Sequence, residues 1–281
     1  MRRRADVTGV LGEIVAHKRE ELGERRRRAP LAEVRGRAAA ADPPRPFLAA
    51  LRGPRIRLIA EVKGASPSAG TIRPAFDPAE IARRYEVGGA AAISVLTDAR
   101  YFGGADAHLA AVRQAVGLPV LRKDFVVDPY QIYEARSIGA DAALLIAAVL
   151  PAAALADLQA LAQELGMAAL VEVHTDDELE AALPARPALV GINNRNLNTL
   201  QTSLEVSRRL RPRIPGGVTV VAESGIEERA QVEELERLGV HAVLVGTALM
   251  RAPDPAVRVR EFLGWPDESG GQTAAVRMGG T

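Results

Sequence analysis

The sequence contains no cysteine, almost no lysine and no long hydrophobic run. The absence of cysteine excludes disulfides, thiolate nucleophiles, zinc–thiolate sites and iron–sulfur clusters. The longest uncharged run, Ala142–Ala156, contains Pro151 and is shorter than the ~20 residues that a helix needs to cross a bilayer. No apolar segment follows the basic start Arg2–Arg4, so the pattern does not fit a signal peptide. We therefore expect a cytoplasmic protein without a membrane partner.

Neither sign of charge is in excess, because the chain has 36 Lys and Arg residues and 35 Asp and Glu residues. The chain therefore has no global basic field that would attract nucleic acid. Its four histidines show no spacing typical of metal ligands, so we expect no metal site. They are His17, His108, His174 and His241. His174 follows the fifth apolar run, where it could line the barrel mouth, and we favour its interpretation as a loop residue.

Lysine accounts for only three of the 36 basic residues: Lys18, Lys63 and Lys123. Arg keeps its proton at any working pH, whereas a desolvated Lys can release one. Lys18 lies in a charged amphipathic stretch, and we interpret it as an ordinary surface residue. Lys63 and Lys123 each end an apolar run, which makes them candidates for proton transfer.

Eight short apolar runs recur along the chain and alternate with segments of helical period. The runs are Arg57–Lys63, Ala91–Leu96, Leu118–Lys123, Asp141–Ile146, Ala168–Val173, Ala188–Asn193, Val218–Glu223 and His241–Gly246. Repeated strand–helix units predict parallel strands covered by helices. Eight units favour an α/β fold of the TIM-barrel type, (β/α)8, over an open doubly wound sheet. No Gly-x-Gly-x-x-Gly follows the first run, which argues against a dinucleotide-binding domain.

Two regions lie outside the eight units. Ahead of them, helical period extends over about Val7–Arg28 and recurs near Phe47–Leu51, with the breaker Pro43–Pro46 between the two pieces. The basic run Arg25–Arg28 is interpreted as a solvated helix end rather than a nucleic-acid site. After the units comes a glycine-rich segment with little periodicity. The predicted organisation is a helical extension over residues 1–50, a barrel over 51–263 and a mobile tail over 264–281.

Polar side chains collect where the predicted strands end, which is where barrel enzymes place their chemistry. In the first run, period two places Glu61 and Lys63 on one face. Four later runs end at or next to Lys123, Glu172, Asn193 and Glu223. Lysines and glutamates gathered in one barrel mouth are typical of acid–base catalysis. Arg122 and Asp124, which flank Lys123, are interpreted as an outward-facing ion pair.

Glycines follow the last two runs. Gly225 comes after the seventh run, Gly246 and Thr247 come after the eighth, and each position leads into a predicted helix. Backbone N–H groups at helix starts bind phosphate, and the loops after the last two strands are a frequent phosphate site in barrels. The loop Gly64–Gly70, which contains Ser66, is small and hydroxylated, so we expect it to close over a ligand.

Several stretches of the sequence together carry a family resemblance. They are Ile59–Ser68, Ser94–Thr97 with Tyr101–Gly104, Leu121–Phe125, Leu170–Val173, Gly191–Leu197, Val221–Ile226 and Leu244–Gly246. From about Val7 to Leu263 the chain resembles the indole-3-glycerol phosphate synthase family of tryptophan biosynthesis, including its helical extension over the barrel mouth. It departs from the family at Val62, where many members have a larger or basic residue, and at Thr247, where Ser or Glu is common.

The resemblance implies a carboxy-lyase that uses no cofactor. Its substrate is then 1-(2-carboxyphenylamino)-1-deoxyribulose 5-phosphate, which is decarboxylated, dehydrated and closed to indole-3-glycerol phosphate. The resemblance assigns catalysis to Lys123, Lys63, Glu61, Glu172, Asn193 and Glu223, substrate binding to Arg195, Ser224 and Phe125, and phosphate binding to Ser66, Gly225, Gly246 and Thr247. How the acid role is divided between Lys63 and Lys123 stays open.

Two other functions remain open at this point. A phosphoribosylanthranilate isomerase on the same type of barrel is expected to use a cysteine base, and this chain has no cysteine. A non-catalytic barrel that serves as a binding or scaffolding subunit is expected to have lost a reacting Lys or Glu, and all are present. We expect a monomer that binds a small phosphorylated substrate and no nucleic acid.

Overall fold

The structure is a computed structural model that describes residues 9–66, 70–71, 76–196 and 199–266, with only the backbone described at Ser66 and Thr71. Most of the predicted tail, 264–281, and the middle of the predicted loop Gly64–Gly70 therefore lie outside the described residues. No described helix combines the length and the apolar character that crossing a membrane requires.

Eight parallel strands form a closed barrel, in which each strand lies beside the next one along the chain. They are β1 (Arg57–Val62), β2 (Ala92–Leu96), β3 (Val120–Lys123), β4 (Ala142–Ile146), β5 (Ala168–Val173), β6 (Leu189–Asn193), β7 (Thr219–Glu223) and β8 (Ala242–Val245). The barrel closes at β1, where Ile59 lies opposite Ala92 of β2 and Arg57 lies opposite Ala242 of β8. The predicted TIM barrel is thus confirmed. A short antiparallel hairpin, Ala65–Ser66 with Gly70–Thr71, follows β1.

Helices precede and surround the barrel. Those that precede it are α1 (Gly9–Arg28), α2 (Leu31–Ala40) and α3 (Phe47–Ala50). Those that surround it are α4 (Pro78–Gly88), α5 (Ala99–Phe102), α6 (Asp106–Ala115), α7 (Pro129–Ser137), α8 (Ala152–Glu164), α9 (Asp176–Ala182), α10 (Glu205–Leu210), α11 (Arg229–Arg237), α12 (Thr247–Met250) and α13 (Pro255–Leu263). Two 3-10 turns, Leu183–Ala185 and Arg211–Arg213, extend α9 and α10. The sequence patterns miss α2, whose buried face consists only of Val34 and Ala38.

Alternation along the strands separates two apolar layers. In β1, Ala60 packs between the strands and the helices, whereas Ile59 packs inside the barrel. Glu61 has the parity of Ile59 and therefore faces inward. In β5, Leu170 packs inside the barrel, and Glu172 follows with the same parity. The alternation thus places polar side chains in the barrel interior at the carboxyl ends of the strands.

The helices that precede the barrel cover both of its ends. At the carboxyl ends of the strands, Leu11 and Val15 of α1 join the interior core. At the opposite end, Phe47 of α3 joins the same core, and the N–H of Arg45 donates to Asp141 beside the start of β4 (2.6 Å). Helix α2 packs against α7 on the outside of the barrel. The chain thus passes from one mouth of the barrel to the other before the first strand begins.

Candidate active site

A cavity of about 330 Å³ opens among the carboxyl ends of the strands, beneath α1. The predicted site residues that line it are Glu61, Lys63, Lys123, Phe125, Glu172, Asn193, Arg195, Glu223, Ser224, Gly225, Gly246 and Thr247. Ser66 belongs to the hairpin after β1, and its side chain lies outside the described residues. Residues from distant parts of the chain share this cavity because the carboxyl ends of parallel strands meet at one mouth of the barrel.

Lys123, the last residue of β3, lies between two buried carboxylates. Its Nζ is 2.8 Å from Oε2 of Glu172 on β5, and it also donates to Oε2 of Glu223 on β7. Glu172 is 2% exposed and Glu223 is 1% exposed. One ammonium group thus serves two carboxyl groups that water barely reaches.

The surroundings shift the pKa of all three groups, upward for Lys123 and Glu223 and downward for Glu172. Burial disfavours the ammonium of Lys123, but the neighbouring carboxylates, chiefly Glu172 and Glu223, outweigh that effect and raise its pKa. Burial likewise opposes ionisation of Glu172, but Lys123 and His174 hold the pKa of this carboxyl below its usual range. For Glu223, burial and the charge of Glu172 outweigh Lys123 and raise the pKa to about 7. At neutral pH the cluster therefore contains a charged lysine, an ionised Glu172 and a Glu223 poised between its two forms.

Glu61 and Lys63 form a second ion pair at the end of β1, with 2.8 Å between Oε1 and Nζ. Gly246, which follows β8, packs directly against this pair. A Cβ atom at position 246 would collide with the Glu61 carboxylate and lie 2.8 Å from Nζ of Lys63. A side chain at position 246 would therefore have to displace the Glu61–Lys63 pair.

The loop after β6 holds Arg195 in the cavity wall. The backbone N–H of Arg195 donates to Oδ1 of Asn193 (3.0 Å), and its guanidinium donates to the carbonyl of Leu200 (2.9 Å). The residue also forms an isolated β-bridge with Thr202. Arg195 thus brings an anchored positive charge to the cavity, which suits recognition of a carboxylate or a phosphate.

A left-handed turn follows β7. Ser224 has a φ of 66° and Gly225 has a φ of 72°. Residues other than glycine are uncommon in this region, and backbone strain of this kind clusters at functional sites. A Cβ atom at position 225 would lie 2.9 Å from Cβ of Thr202, so the turn excludes a side chain there on both conformational and steric grounds.

Apolar side chains form another side of the cavity. The ring centroids of Phe102 and Phe125 lie 6.1 Å apart, and α1 contributes Leu11 and Ile14 above them. This surface suits a flat aromatic ring. The sequence patterns identify Phe125 but miss the other three residues. Phe102 lies inside one of the stretches that carry the resemblance, whereas nothing in the local pattern shows that Leu11 and Ile14 reach the mouth.

The prediction that Lys18 is an ordinary surface residue is wrong. Lys18 on α1 is 2% exposed, and its Nζ lies 2.9 Å from Asp98 and 3.0 Å from Asp124. Burial disfavours its charge, but Asp124, Glu21 and Asp98 outweigh burial and raise its pKa. The amphipathic pattern shows that α1 has a buried face. It does not show that carboxylates following β2 and β3 meet a lysine there.

Arg122 and Asp124 form the predicted ion pair (3.3 Å), but the pair is buried and belongs to a larger network. Arg122 also lies 2.8 Å from Glu134 on α7. Arg25 of α1 binds the same Glu134 (2.8 Å) and is half-buried, whereas Arg26–Arg28 are exposed, as expected of a solvated helix end. These contacts hold the residues on both sides of Lys123.

The histidines are dispersed in the structure as they are in the sequence. Within the described parts of the chain, no group of three or more His, Asp or Glu side chains is arranged to hold a metal ion. His174 lies in the loop directly after β5, as predicted, but its ring is buried beside Glu172, with 3.3 Å between Nε2 and Oε1.

Comparison with known sequences identifies close relatives. A family model described as indole-3-glycerol phosphate synthase matches residues 11–262. An indole-3-glycerol phosphate synthase of Acidithiobacillus ferrooxidans (strain ATCC 53993 / BNL-5-31) is 53% identical over 253 residues, which cover 89% of this chain and 96% of the relative. One of Aromatoleum aromaticum is 50% identical over 262 residues, which cover 92% of this chain and 100% of the relative.

Comparison with solved structures finds the same architecture in more distant proteins. The 3-hexulose-6-phosphate synthase of Salmonella typhimurium aligns with a TM-score of 0.60 and 13% identity, over 74% of this chain and 97% of that one. A thiamine phosphate pyrophosphorylase of Pyrococcus furiosus aligns with a TM-score of 0.55 and 18% identity, over 74% of this chain and 93% of that one. At such low identity these likenesses show the barrel fold alone.

Proposed function

Because the chain belongs to the indole-3-glycerol phosphate synthase family, and is therefore a carboxy-lyase of tryptophan biosynthesis, we propose a role for each polar group of its cavity. In the reaction, the aryl carbon that bears the carboxylate attacks the C2 carbonyl of the ribulose moiety. Loss of carbon dioxide restores the aromatic ring, and loss of the C2 hydroxyl as water completes the indole. These steps require an acid at the carbonyl oxygen and an acid and a base for the dehydration.

Lys123 is the acid that protonates the carbonyl oxygen. The observation that carries this role is its position between Glu172 and Glu223, which keeps the ammonium charged inside a buried cluster. General acid catalysis needs a proton donor held in place at the reacting atom. Glu223, whose pKa is raised to about 7 by burial and by Glu172, holds a proton part of the time and is placed to return one to Lys123.

The dehydration uses Lys63 from the second ion pair and Glu172 from the cluster around Lys123. Lys63, paired with Glu61 at 2.8 Å, serves as the acid for the leaving hydroxyl. Glu172 serves as the base, because Lys123 and His174 keep it ionised through the neutral range despite its burial. This division gives each lysine a separate proton transfer, which two separate ion pairs support.

The remaining residues bind and orient the substrate. Phe125 packs against the aromatic ring of the substrate, and Arg195 binds its carboxylate. Asn193 and Ser224 orient the hydroxyl groups. The phosphate lies against the backbone of Gly225, Gly246 and Thr247, with Ser66 at its edge, because these glycines line the cavity just after β7 and β8, where barrels frequently bind phosphate.

We propose that the working unit is a monomer in the cytoplasm, since every group assigned a role above comes from one chain and the family is biosynthetic. Residues 1–50 act as an extension of the barrel over residues 51–263, since α1 forms part of the cavity and shares its core with the strands.

Incubation of the purified chain with the substrate tests these roles. Growth of indole fluorescence with matching release of carbon dioxide is expected, and Glu172→Gln is expected to abolish both. Glu164→Gln, at the exposed end of α8, is the matched control and should behave as the wild type. Turnover of phosphoribosylanthranilate without indole would instead indicate the isomerase, and substrate binding without any turnover would indicate a non-catalytic barrel.

A further inference from the structure

The two oxygens of Glu172 face different basic side chains. Oε2 lies 2.8 Å from Nζ of Lys123, on the side of the cavity. Oε1 lies 3.3 Å from Nε2 of His174, on the side away from Lys123. Glu172 and His174 are two residues apart at the end of β5. Val173 between them packs among the surrounding helices, so Glu172 faces the barrel interior, and His174, just beyond the strand, lies beside it.

Helix α9 holds the ring of His174 from its other side. Nδ1 lies 2.9 Å from Oε2 of Glu178, and the same oxygen accepts a hydrogen bond from the backbone N–H of His174 (2.7 Å). Thr175 caps α9 and accepts from the N–H of Glu178 (3.2 Å), which fixes the turn that carries this carboxylate. The imidazole is thus clamped between two carboxylates and is only 8% exposed.

Lys123 contacts both buried carboxyl groups and therefore does not by itself determine which of them is ionised. One ammonium faces the two buried carboxyl groups of Glu172 and Glu223, so ionisation of both leaves an unbalanced negative charge. His174 is placed to balance the charge on Glu172, and it does not contact Glu223. Burial disfavours the imidazolium, but the neighbouring carboxylates of Glu172 and Glu178 outweigh burial and raise the pKa of His174 to about 10.

Other charged side chains also lie near His174. On its outer side the ring lines a groove whose charged side chains are Arg19 on α1, Asp177 and Glu178 on α9, Arg195 after β6 and Arg209 on α10. Of these, Glu178 bonds the ring, and Arg209 pairs with Asp176 at the start of α9 (2.8 Å). The carboxylates on both sides of the ring therefore favour its charged form.

We propose that His174 is a positioning residue for the ring closure, which as an imidazolium keeps Glu172 ionised and aimed at Lys123. The inference rests on the role proposed above for Glu172 as the base of the dehydration. It explains why the two buried carboxyl groups that contact Lys123 differ in protonation state. His174 keeps Glu172 ionised as the base, so the shared proton resides on Glu223. His174 itself transfers no proton to the substrate.

The pH dependence of kcat and KM in His174→Gln tests the proposal. Gln keeps a neutral N–H donor but removes the charge, so the pKa of Glu172 rises. The acid limb of the kcat profile should then move to higher pH by about 1 to 3 units, with KM changed less than kcat. His241→Gln is the matched control, because His241 accepts from Val220 at the opposite end of the barrel (3.0 Å). A His174→Gln profile that superimposes on the wild-type profile overturns the proposal.

A second measurement does not depend on activity. In the full chain labelled at histidine, the imidazole signal that disappears in His174→Gln belongs to His174, and its titration can be followed by NMR. We expect this imidazole to stay protonated at pH 8, whereas a neutral ring at pH 7 overturns the proposal. Glu172→Gln separates the two levels of the argument: full activity in that variant refutes the base role of Glu172, while its inactivity together with an unshifted His174→Gln profile refutes the role of His174 alone.

Discussion

Nζ of Lys18 lies 3.0 Å from Oδ1 of Asp124, the residue that follows Lys123 along the chain. The contact joins a helix that precedes the barrel to the strand end that carries the proposed acid. Asp124 is also bound by Arg122, and burial alone would raise its pKa, but Arg122 and Lys18 lower it to about 2. The extension therefore supports the site from behind as well as covering it.

Removal of the charge at Lys18 should destabilise the whole chain. In Lys18→Met, Asp98 and Asp124 lose a buried partner, and breaking a buried ion pair costs about 3–5 kcal/mol. Denaturant unfolding at neutral pH measures the free energy of unfolding. Arg28→Met is the control, because the pair of Arg28 with Glu24 is long (3.7 Å) and exposed, and its loss should cost less than about 1 kcal/mol. Equal losses in the two variants would show that the buried network does not stabilise the fold.

A methyl group at position 246 should damage the site locally. In Gly246→Ala the new Cβ meets the Glu61–Lys63 pair, so we expect KM to rise and kcat to fall, each by about tenfold or more. Gly216→Ala is the matched control, since nothing lies within 4 Å of a Cβ there. Steady-state kinetics, with inorganic phosphate as a competitor, measure both effects. Wild-type constants in Gly246→Ala would contradict the close approach of this loop to the pair.

The raised pKa of Glu223 predicts how stability depends on pH. Because the folded-state pKa of about 7 lies above the ordinary value, this carboxyl favours folding at low pH, and its contribution is lost as pH rises through 7. Glu223→Gln cannot ionise and lacks this loss. The Tm of the variant should therefore increase relative to that of the wild type between pH 5 and pH 9. A constant difference in Tm over this range would show that Glu223 ionises normally.

The strands and most of the site are predictable from local sequence. Period two turns Glu61 and Lys63 to one face, and the barrel rule then places them at the mouth with Lys123 and Glu172. No long-range information is needed for this, because the carboxyl ends of all strands in a closed parallel barrel lie at the same mouth of the barrel. The strand-end residues of the candidate site follow from the fold once the eight runs are recognised, whereas Arg195, Ser224 and Phe125 are implied only by the family resemblance.

The failures concern residues whose environment depends on distant parts of the chain. Lys18 and Arg25 have the local pattern of an exposed helix face. Lys18 is buried and Arg25 is half-buried because Asp98, Asp124 and Glu134 meet them from other elements. Charge patterning along one helix carries no information about such partners. The family resemblance placed the extension over the barrel mouth, where α1 is found, but nothing in the sequence indicated that α3 closes the other end of the barrel.

The proposed acid role of Lys123 is tested most directly by the turnover of Lys123→Arg. Arginine keeps the positive charge between Glu172 and Glu223 but does not release a proton at working pH. Circular dichroism should show an intact fold, and kcat, followed by indole fluorescence, should fall at least about 10²-fold, with release of carbon dioxide falling equally. Turnover near the wild-type rate in a folded Lys123→Arg variant would contradict the account, because it would show that the ring closes without a proton from Lys123.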